Sequence, residues 1–123
     1  MSHPFREAIE AEDMGAIAGL LAPGIVFRSP AVYRPYEGRD TVLALLSVVV
    51  TVFENFRYTA EWHDGRTTIL FFEANVGDRE LQGIDILEDG ADGLIERFTV
   101  MIRPLSGLQA VAAAVAARVT GSS

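Results

Sequence analysis

From residue 57 to residue 103 the chain alternates between apolar and polar side chains, interrupted only by short Gly/Asp turns, and no other feature narrows the possible folds as far. Residues 57–64 set Arg57, Thr59, Glu61 and His63 against Tyr58, Ala60 and Trp62. A period of two marks a strand with one face buried. Asp64-Gly65 follows, a strong hairpin signal because tight hairpin turns need positive φ. Residues 67–76 read as a long strand, Gly77-Asp78 as a turn, and residues 79–88 as the next strand. Glu88 to Gly93 is a Gly/Asp-rich turn, and residues 94–103 form the last strand. Strands joined by turns this short pair antiparallel.

The residues ahead of the meander read as helical. Phe5, Ile9, Met14, Ile17, Leu20 and Leu21 recur at helical spacing, with Glu7, Glu10 and Glu12 between them. Those glutamates and Asp13 form a solvated acidic helix face. A break near Glu12 lets Asp13 cap a second helix, and Pro23-Gly24 ends the segment. Ile25 to Ser29 is a short strand stopped by Pro30. Residues 30–39, with Pro30, Pro35 and Gly38, form a loop. Asp40 caps a helix running to about Asn55, whose apolar positions go almost all the way round, so deep burial is expected. After the last strand, residues 106–119 form a helix with Leu108, Val111, Val115 and Val119 among alanines; residues 120–123 are a frayed tail.

Helices followed by a run of strands give an α+β domain, with helices packed on one face of a strongly curved antiparallel sheet. Such a sheet closes like a cone around the helices, and the cone's mouth is a natural small-molecule pocket. All 123 residues fit one domain.

Composition then excludes several function classes. The formal net charge is −7, which argues against a nucleic-acid partner and an anionic membrane surface, since both need clustered Lys and Arg. Without cysteine there is no disulfide, thiol nucleophile or Cys-based metal site. Two distant histidines and no ligand-spaced carboxylates leave no metal set. The longest apolar stretch, Val42 to Val50, is too short to span a membrane. The start of the chain lacks the pattern of a signal peptide, so a cytoplasmic location is expected. No Gly-rich phosphate loop and no nucleophile elbow appears; no cofactor is expected.

Asp85 stands out within this frame. It sits in Gly83-Ile84-Asp85-Ile86-Leu87, a carboxylate among apolar neighbours. A buried carboxylate is costly to ionise, so it either finds a partner, such as a neighbouring Tyr, or holds its proton. Strand alternation puts Leu81, Gly83 and Leu87 on its face. The following strand offers Phe98, Val100 and Ile102, with Glu96 nearer the turn. Tyr58 and Trp62 share a strand face that lines core or pocket. Tyr33, in the Pro-rich loop, is placed to reach a ligand from the rim. His63 falls on the opposite, polar face, and His3 has no expected role.

Four segments carry a resemblance: Ala11-Glu12-Asp13-Met14 before a helix ending Leu20-Leu21, Val26-Phe27-Arg28-Ser29-Pro30, Gly38-Arg39-Asp40, and Gly83-Ile84-Asp85 eight residues before Gly93. On these the chain resembles the nuclear-transport-factor-2-like superfamily, which includes ketosteroid isomerases, SnoaL-like polyketide cyclases and limonene-epoxide hydrolases. The resemblance implies the cone fold; it does not fix an activity. In the isomerases a carboxylate base works with an oxyanion hole made by a tyrosine and a protonated aspartic acid. Matched by position, the base falls at Ser29 and the tyrosine at Phe5, and neither can do that work. Only the aspartic acid is kept, as Asp85. Ketosteroid isomerisation is therefore not expected. Cyclase-type chemistry needs an acid/base group in the cone, which Asp85 supplies.

The reading is a small-molecule enzyme of cyclase, isomerase or hydratase type, with Asp85 as acid or base on an apolar substrate and no cofactor. The alternative is a non-catalytic ligand-binding or dimerisation module. The outward sheet face, Arg57, Thr59, Glu61, His63 with Arg97, Thr99 and Met101, suits a homodimer interface. The apolar stripe on the last helix should bury itself on its own domain or on a partner.

Overall fold

A computed structural model describes residues 2–121, with side chains through Val119. The elements are α1 (Pro4–Glu10), α2 (Met14–Leu20), β1 (Leu21–Arg28), β2 (Tyr36–Glu37), α3 (Arg39–Val52), β3 (Glu54–Asp64), β4 (Thr67–Val76), β5 (Arg79–Asp89), β6 (Ile95–Arg103) and α4 (Leu105–Gly121). Four helices accompany one six-stranded sheet of order β2-β1-β6-β5-β4-β3. The expected α+β architecture is present. The sheet is mixed rather than wholly antiparallel, because β1 runs parallel to β6. A connection through α3 and three hairpins separates these two strands in sequence, so local turn signals could not reveal their pairing.

Hairpins β3–β4 and β4–β5 turn at Gly65 and Gly77, both at φ +60, the backbone region that glycine enters without a Cβ clash. The helix over the first residues ends earlier than Pro23-Gly24. Asp13 caps α2 by accepting from the Ala16 N–H, and the chain turns directly into β1 at Leu21. Pro23 and Gly24 lie inside β1, where its register with β6 shifts between Leu21 and Val26. A proline lacks a ladder donor and is tolerated where the ladder is interrupted. The loop after Pro30 contains the short strand β2, paired with Val26 and Phe27.

Two expectations about α3 are corrected. Its N-cap is Gly38, at φ 94, and Asp40 lies in the first turn. Only Val42, Leu46 and Val52 are buried; of its other apolar side chains, the half-buried Leu45, Val49 and Val50 line a cavity instead of packed core. The final helix runs from residue 105 through residue 121, so Thr120 and Gly121 continue it; the rest of the expected tail lies outside the described residues. Within α4, Val111 is buried while Val119 is 54% exposed.

The largest correction concerns β3. Its register with β4 shifts between Glu54 and Arg57, and again between Tyr58 and Ala60. Each bulge adds a residue and reverses which face the following side chains take. Tyr58 pairs with buried Phe72, whereas Trp62 pairs with Ile69. Trp62 is therefore on the outer face, 54% exposed. Glu61 and His63 pair with Leu70 and Thr68, residues of the inner face, not the outer one that simple alternation assigns.

The core forms between the inner sheet face and the helices. Phe98 is its hub, with Phe5 and Phe27 edge-on to its ring, each with a centroid separation of 5.0 Å. Such geometry adds to the burial of three aromatic rings. A second group, Phe53, Phe56, Tyr58 and Phe72, packs under the end of α3. Gly83 makes that packing possible: a Cβ there would lie 2.3 Å from Phe72 Cζ and 2.6 Å from the Met101 carbonyl oxygen.

Candidate active site

Asp85 sits in the middle of β5, opposite Leu70 on β4 and Val100 on β6. Its neighbours alternate, so the carboxyl shares the inner face with Leu81, Gly83 and Leu87, as strand periodicity requires. It is 6% exposed. The Tyr58 hydroxyl reaches across β4 and donates to Asp85 Oδ2 at 2.7 Å. Among the described residues this is the hydrogen bond recorded for the carboxyl. Asp85 lines a cavity of about 670 Å³, so Oδ1 faces open space.

Electrostatics follow from that placement. Burial disfavours the Asp85 anion and raises its pKa from 3.8 to about 7, against the opposing effect of the Tyr58 hydrogen bond. Burial also raises Tyr58 well above its ordinary value; the charge of Asp85, its hydrogen bond and the charge of Glu10 push the same way, and Arg6 opposes them. Near neutral pH Tyr58 is thus a firm donor and Asp85 is poised between acid and anion. With Oδ2 accepting from Tyr58, the proton of the acid form belongs on Oδ1, aimed into the cavity.

The cavity walls come from every helix except α2. Phe5 and Ile9 come from α1, Leu45, Leu46, Val49 and Val50 from α3, and Val111 and Val115 from α4. Phe72, Phe98, Val100 and Ile102 form the sheet side. Of the α4 stripe, Val111 is buried on its own domain, Leu108 and Val115 are half-buried, and Val119 is exposed, all four along the cavity wall. Glu10, Glu12 and Asn55 bring polar groups to the cavity. Glu12 and Asn55 are the described non-glycine residues at positive φ, 53 and 54. Residues in that region cost energy and cluster at functional sites.

Of the side chains expected to meet a ligand, Asp85, Tyr58, Phe98, Val100 and Ile102 line the cavity. Four others do not. Leu87 is fully buried in the core. Trp62 is turned outward by the β3 bulge. Tyr33 is wholly exposed on its loop. Glu96 is exposed and lies against Gly90, because the β5–β6 register shifts beyond Glu88. Phe5 and Ser29, where the resemblance sought a donor and a base, both line the cavity. Ser29 Oγ accepts from the Ala31 and Val32 N–H groups, closing a turn. Sequence reasoning missed the α3 and α4 walls and Glu10; helical periodicity marked the first two as apolar without showing that they surround a void.

A polar clamp beside the cavity was also not foreseen. Glu61 accepts from Arg6 Nη1 at 3.2 Å and from the His3 backbone N–H at 2.7 Å, and pairs with His63 Nε2 at 2.6 Å. Burial raises the Glu61 pKa, but these three partners outweigh it and hold the carboxyl below its ordinary value. Arg6 also donates to the Tyr58 carbonyl at 3.4 Å and sits 5.9 Å from that ring's centroid. His3 caps α1: its Nδ1 accepts from the Phe5 N–H, so Nε2 carries the proton toward Asp89, 3.0 Å away. The clamp fixes α1, and with it Phe5 and Ile9, over the sheet. Among the described residues no His, Asp and Glu group is arranged to hold a metal ion. No described helix is long and apolar enough to cross a membrane.

The SnoaL-like domain is matched over residues 3–101. A steroid delta-isomerase from Pseudomonas aeruginosa is 42% identical, with a TM-score of 0.92 over 96% of this chain and 88% of its own. An uncharacterized protein with a cystatin-like fold from Silicibacter pomeroyi is 34% identical, with a TM-score of 0.90 over 95% and 83%. A nuclear-transport-factor-2-like protein of unknown function from Mesorhizobium loti is 17% identical, with a TM-score of 0.71 over 81% and 85%, a likeness of fold alone. No match was found among curated proteins.

Proposed function

We propose that this chain, which belongs to the SnoaL-like domain family, is a small-molecule enzyme that uses the Asp85 carboxyl as its acid/base group, without a cofactor. The substrate is an apolar molecule carrying a carbonyl or hydroxyl oxygen that meets Asp85 Oδ1. One observation carries the reading: a carboxyl buried at the wall of an apolar cavity, held at one oxygen by Tyr58 and open to the cavity at the other. With its pKa raised to about 7, Asp85 is partly protonated near neutral pH, and that acid form can donate to a carbonyl oxygen and stabilise the charge that develops there. The 42% identity to a protein described as a steroid delta-isomerase supports isomerase-type chemistry. Ser29 and Phe5 cannot supply a base or a second donor, so the proton-accepting group must lie elsewhere.

The test is a pair of variants. Asp85→Asn keeps a donor toward the cavity and removes proton transfer; Asp85→Ala removes both. A turnover lost in both variants, with ligand binding retained by Asp85→Asn, fits the enzyme. Binding lost only in Asp85→Ala, with no turnover in the parent protein, makes this a ligand-binding module.

The reading includes a homodimer through the outer sheet face. Two rows cross four strands in register, Ala60–Phe71–Ile84–Met101 and Trp62–Ile69–Ile86–Thr99. They are flanked by Arg57–Glu73–Gln82–Arg103 on one side and Asp64–Thr67–Glu88–Arg97 on the other. The first flank carries a surplus cation and the second a surplus anion. A two-fold axis through the apolar rows lays each flank on its opposite, which is the self-complementarity an isologous interface needs.

A further inference from the structure

We propose that Arg6 is a positioning residue for the Asp85 site: it staples the bulge in β3 and so holds the Tyr58 hydroxyl on the Asp85 carboxyl. This rests on the reading of Asp85 as the acid/base group and adds a residue that is not itself a cavity wall. Two points on β3 meet the guanidinium. Nη2 donates to the Tyr58 carbonyl at 3.4 Å, and Nη1 to Glu61 Oε1 at 3.2 Å. The bulge lies between them. Tyr58 faces Phe72 on β4 and Ala60 faces Phe71, so Thr59 is the extra residue. A bulge leaves its extra residue unpaired and disrupts the ladder locally, so the ladder grips the strand least firmly beside Tyr58. Arg6 reaches that place from α1 and holds both sides of the break.

The staple is anchored in turn. The Glu61 side chain is 9% exposed; it also accepts from the His3 N–H at 2.7 Å and pairs with His63 Nε2 at 2.6 Å. Glu10, one turn along α1, takes Arg6 Nε at 3.5 Å. The guanidinium thus has a carboxylate from α1 and one from β3, and lies over the Tyr58 ring, 5.9 Å from its centroid. The consequence for Asp85 is one of reach. Tyr58 places its hydroxyl 2.7 Å from Asp85 Oδ2. That hydroxyl is at the far end of a rigid ring, so a small rotation of the backbone at the bulge moves it enough to weaken the bond. Burial raises the Asp85 pKa and the Tyr58 bond opposes the rise; loosening Tyr58 therefore favours the acid form further. Lysine cannot replace this arginine, because one ammonium on a flexible stem keeps the charge but not two donors at fixed separation. The charge of Arg6 and its grip can thus be told apart.

The test is a ¹³C NMR titration of the Asp85 carboxyl in the ligand-free full chain. It compares the parent, Arg6→Lys, Arg6→Met, and each Arg6 variant combined with Tyr58→Phe. The parent midpoint is expected at about 7. Arg6→Lys should raise it by about one pH unit, the order expected when a hydrogen bond to a charged group is weakened, and Arg6→Met by at least as much. In the Tyr58→Phe background neither should add a further rise. Arg97→Lys makes the same change beside Glu88, away from Tyr58, and should match the parent. If Arg6→Lys titrates as the parent does, the staple is overturned, because charge alone then suffices, while the Asp85 reading stands. A rise that persists in the Tyr58→Phe background also overturns it, because Arg6 then acts by another route. If Arg6→Met does not fold, Arg6→Lys and its Tyr58→Phe double variant decide alone. A parent midpoint at an ordinary aspartate value removes the Asp85 reading, and the role of Arg6 falls with it.

Discussion

Asp85→Asn should make the protein more stable at pH 8 relative to pH 5 than the parent is, and the size of the change can be worked from the burial of this one carboxyl. Folding raises the Asp85 pKa from 3.8 to about 7, so the folded state holds this proton more tightly than the unfolded chain. Stability contributed by the bound proton is fully present below the unfolded pKa and is lost as pH rises through the folded one. A rise of about three pH units at 1.36 kcal/mol each corresponds to roughly 4 kcal/mol lost between about pH 4 and pH 8. Domains of this size are stable by only about 5–15 kcal/mol, so the loss is large. Other groups titrate over the same range, and Glu61 acts in the opposite sense because its pKa is lowered. The difference between parent and Asp85→Asn cancels them. Urea unfolding followed by far-UV circular dichroism, at fixed protein concentration and at pH 5, 6, 7 and 8, gives that difference directly. A constant gap between the two proteins across this range would refute the argument, as would a ¹³C titration placing the Asp85 carboxyl at an ordinary aspartate pKa.

Tyr58→Phe removes the hydrogen bond from the Tyr58 hydroxyl to Asp85, so the Asp85 pKa should rise further and stability at pH 5 should fall by about 1 kcal/mol; carboxyl ¹³C titration and urea unfolding check both. Gly83→Ala drives a methyl group into the Phe72 ring and the Met101 carbonyl, and should cost at least about 1–3 kcal/mol, read as a lowered Tm. Glu61→Gln weakens the clamp on Arg6, His3 and His63. Its destabilisation should be clear at pH 7 and shrink as pH falls through the lowered Glu61 pKa, where the parent carboxylate is itself protonated; unfolding at pH 7 and pH 3.5 measures this. Trp62→Asp places a charge in the outer-face rows and should turn a dimer into a folded monomer by sedimentation velocity; a parent protein already monomeric at micromolar concentration would contradict the interface.

Local chemistry in the sequence was enough to determine the strands from β3 to β6, their turns, and the face that Asp85 shares with Phe98, Val100 and Ile102. Alternation and positive-φ turn residues act over a few positions, and each can be read where it stands. The same local logic failed where one added residue had a distant effect. The bulge beside Tyr58 leaves no mark in composition, yet it separates Tyr58 from Trp62 and brings Glu61 and His63 to the inner face. Parallel pairing of β1 with β6 likewise depends on residues some seventy positions apart. Tertiary structure alone decided that Tyr58 reaches Asp85, that α3 and α4 surround a void rather than filling a core, and that Glu10 borders the same cavity. The reason is physical: a side chain's pKa and reach are set by what the fold desolvates and brings within a few ångströms, and sequence neighbours supply only part of that surrounding.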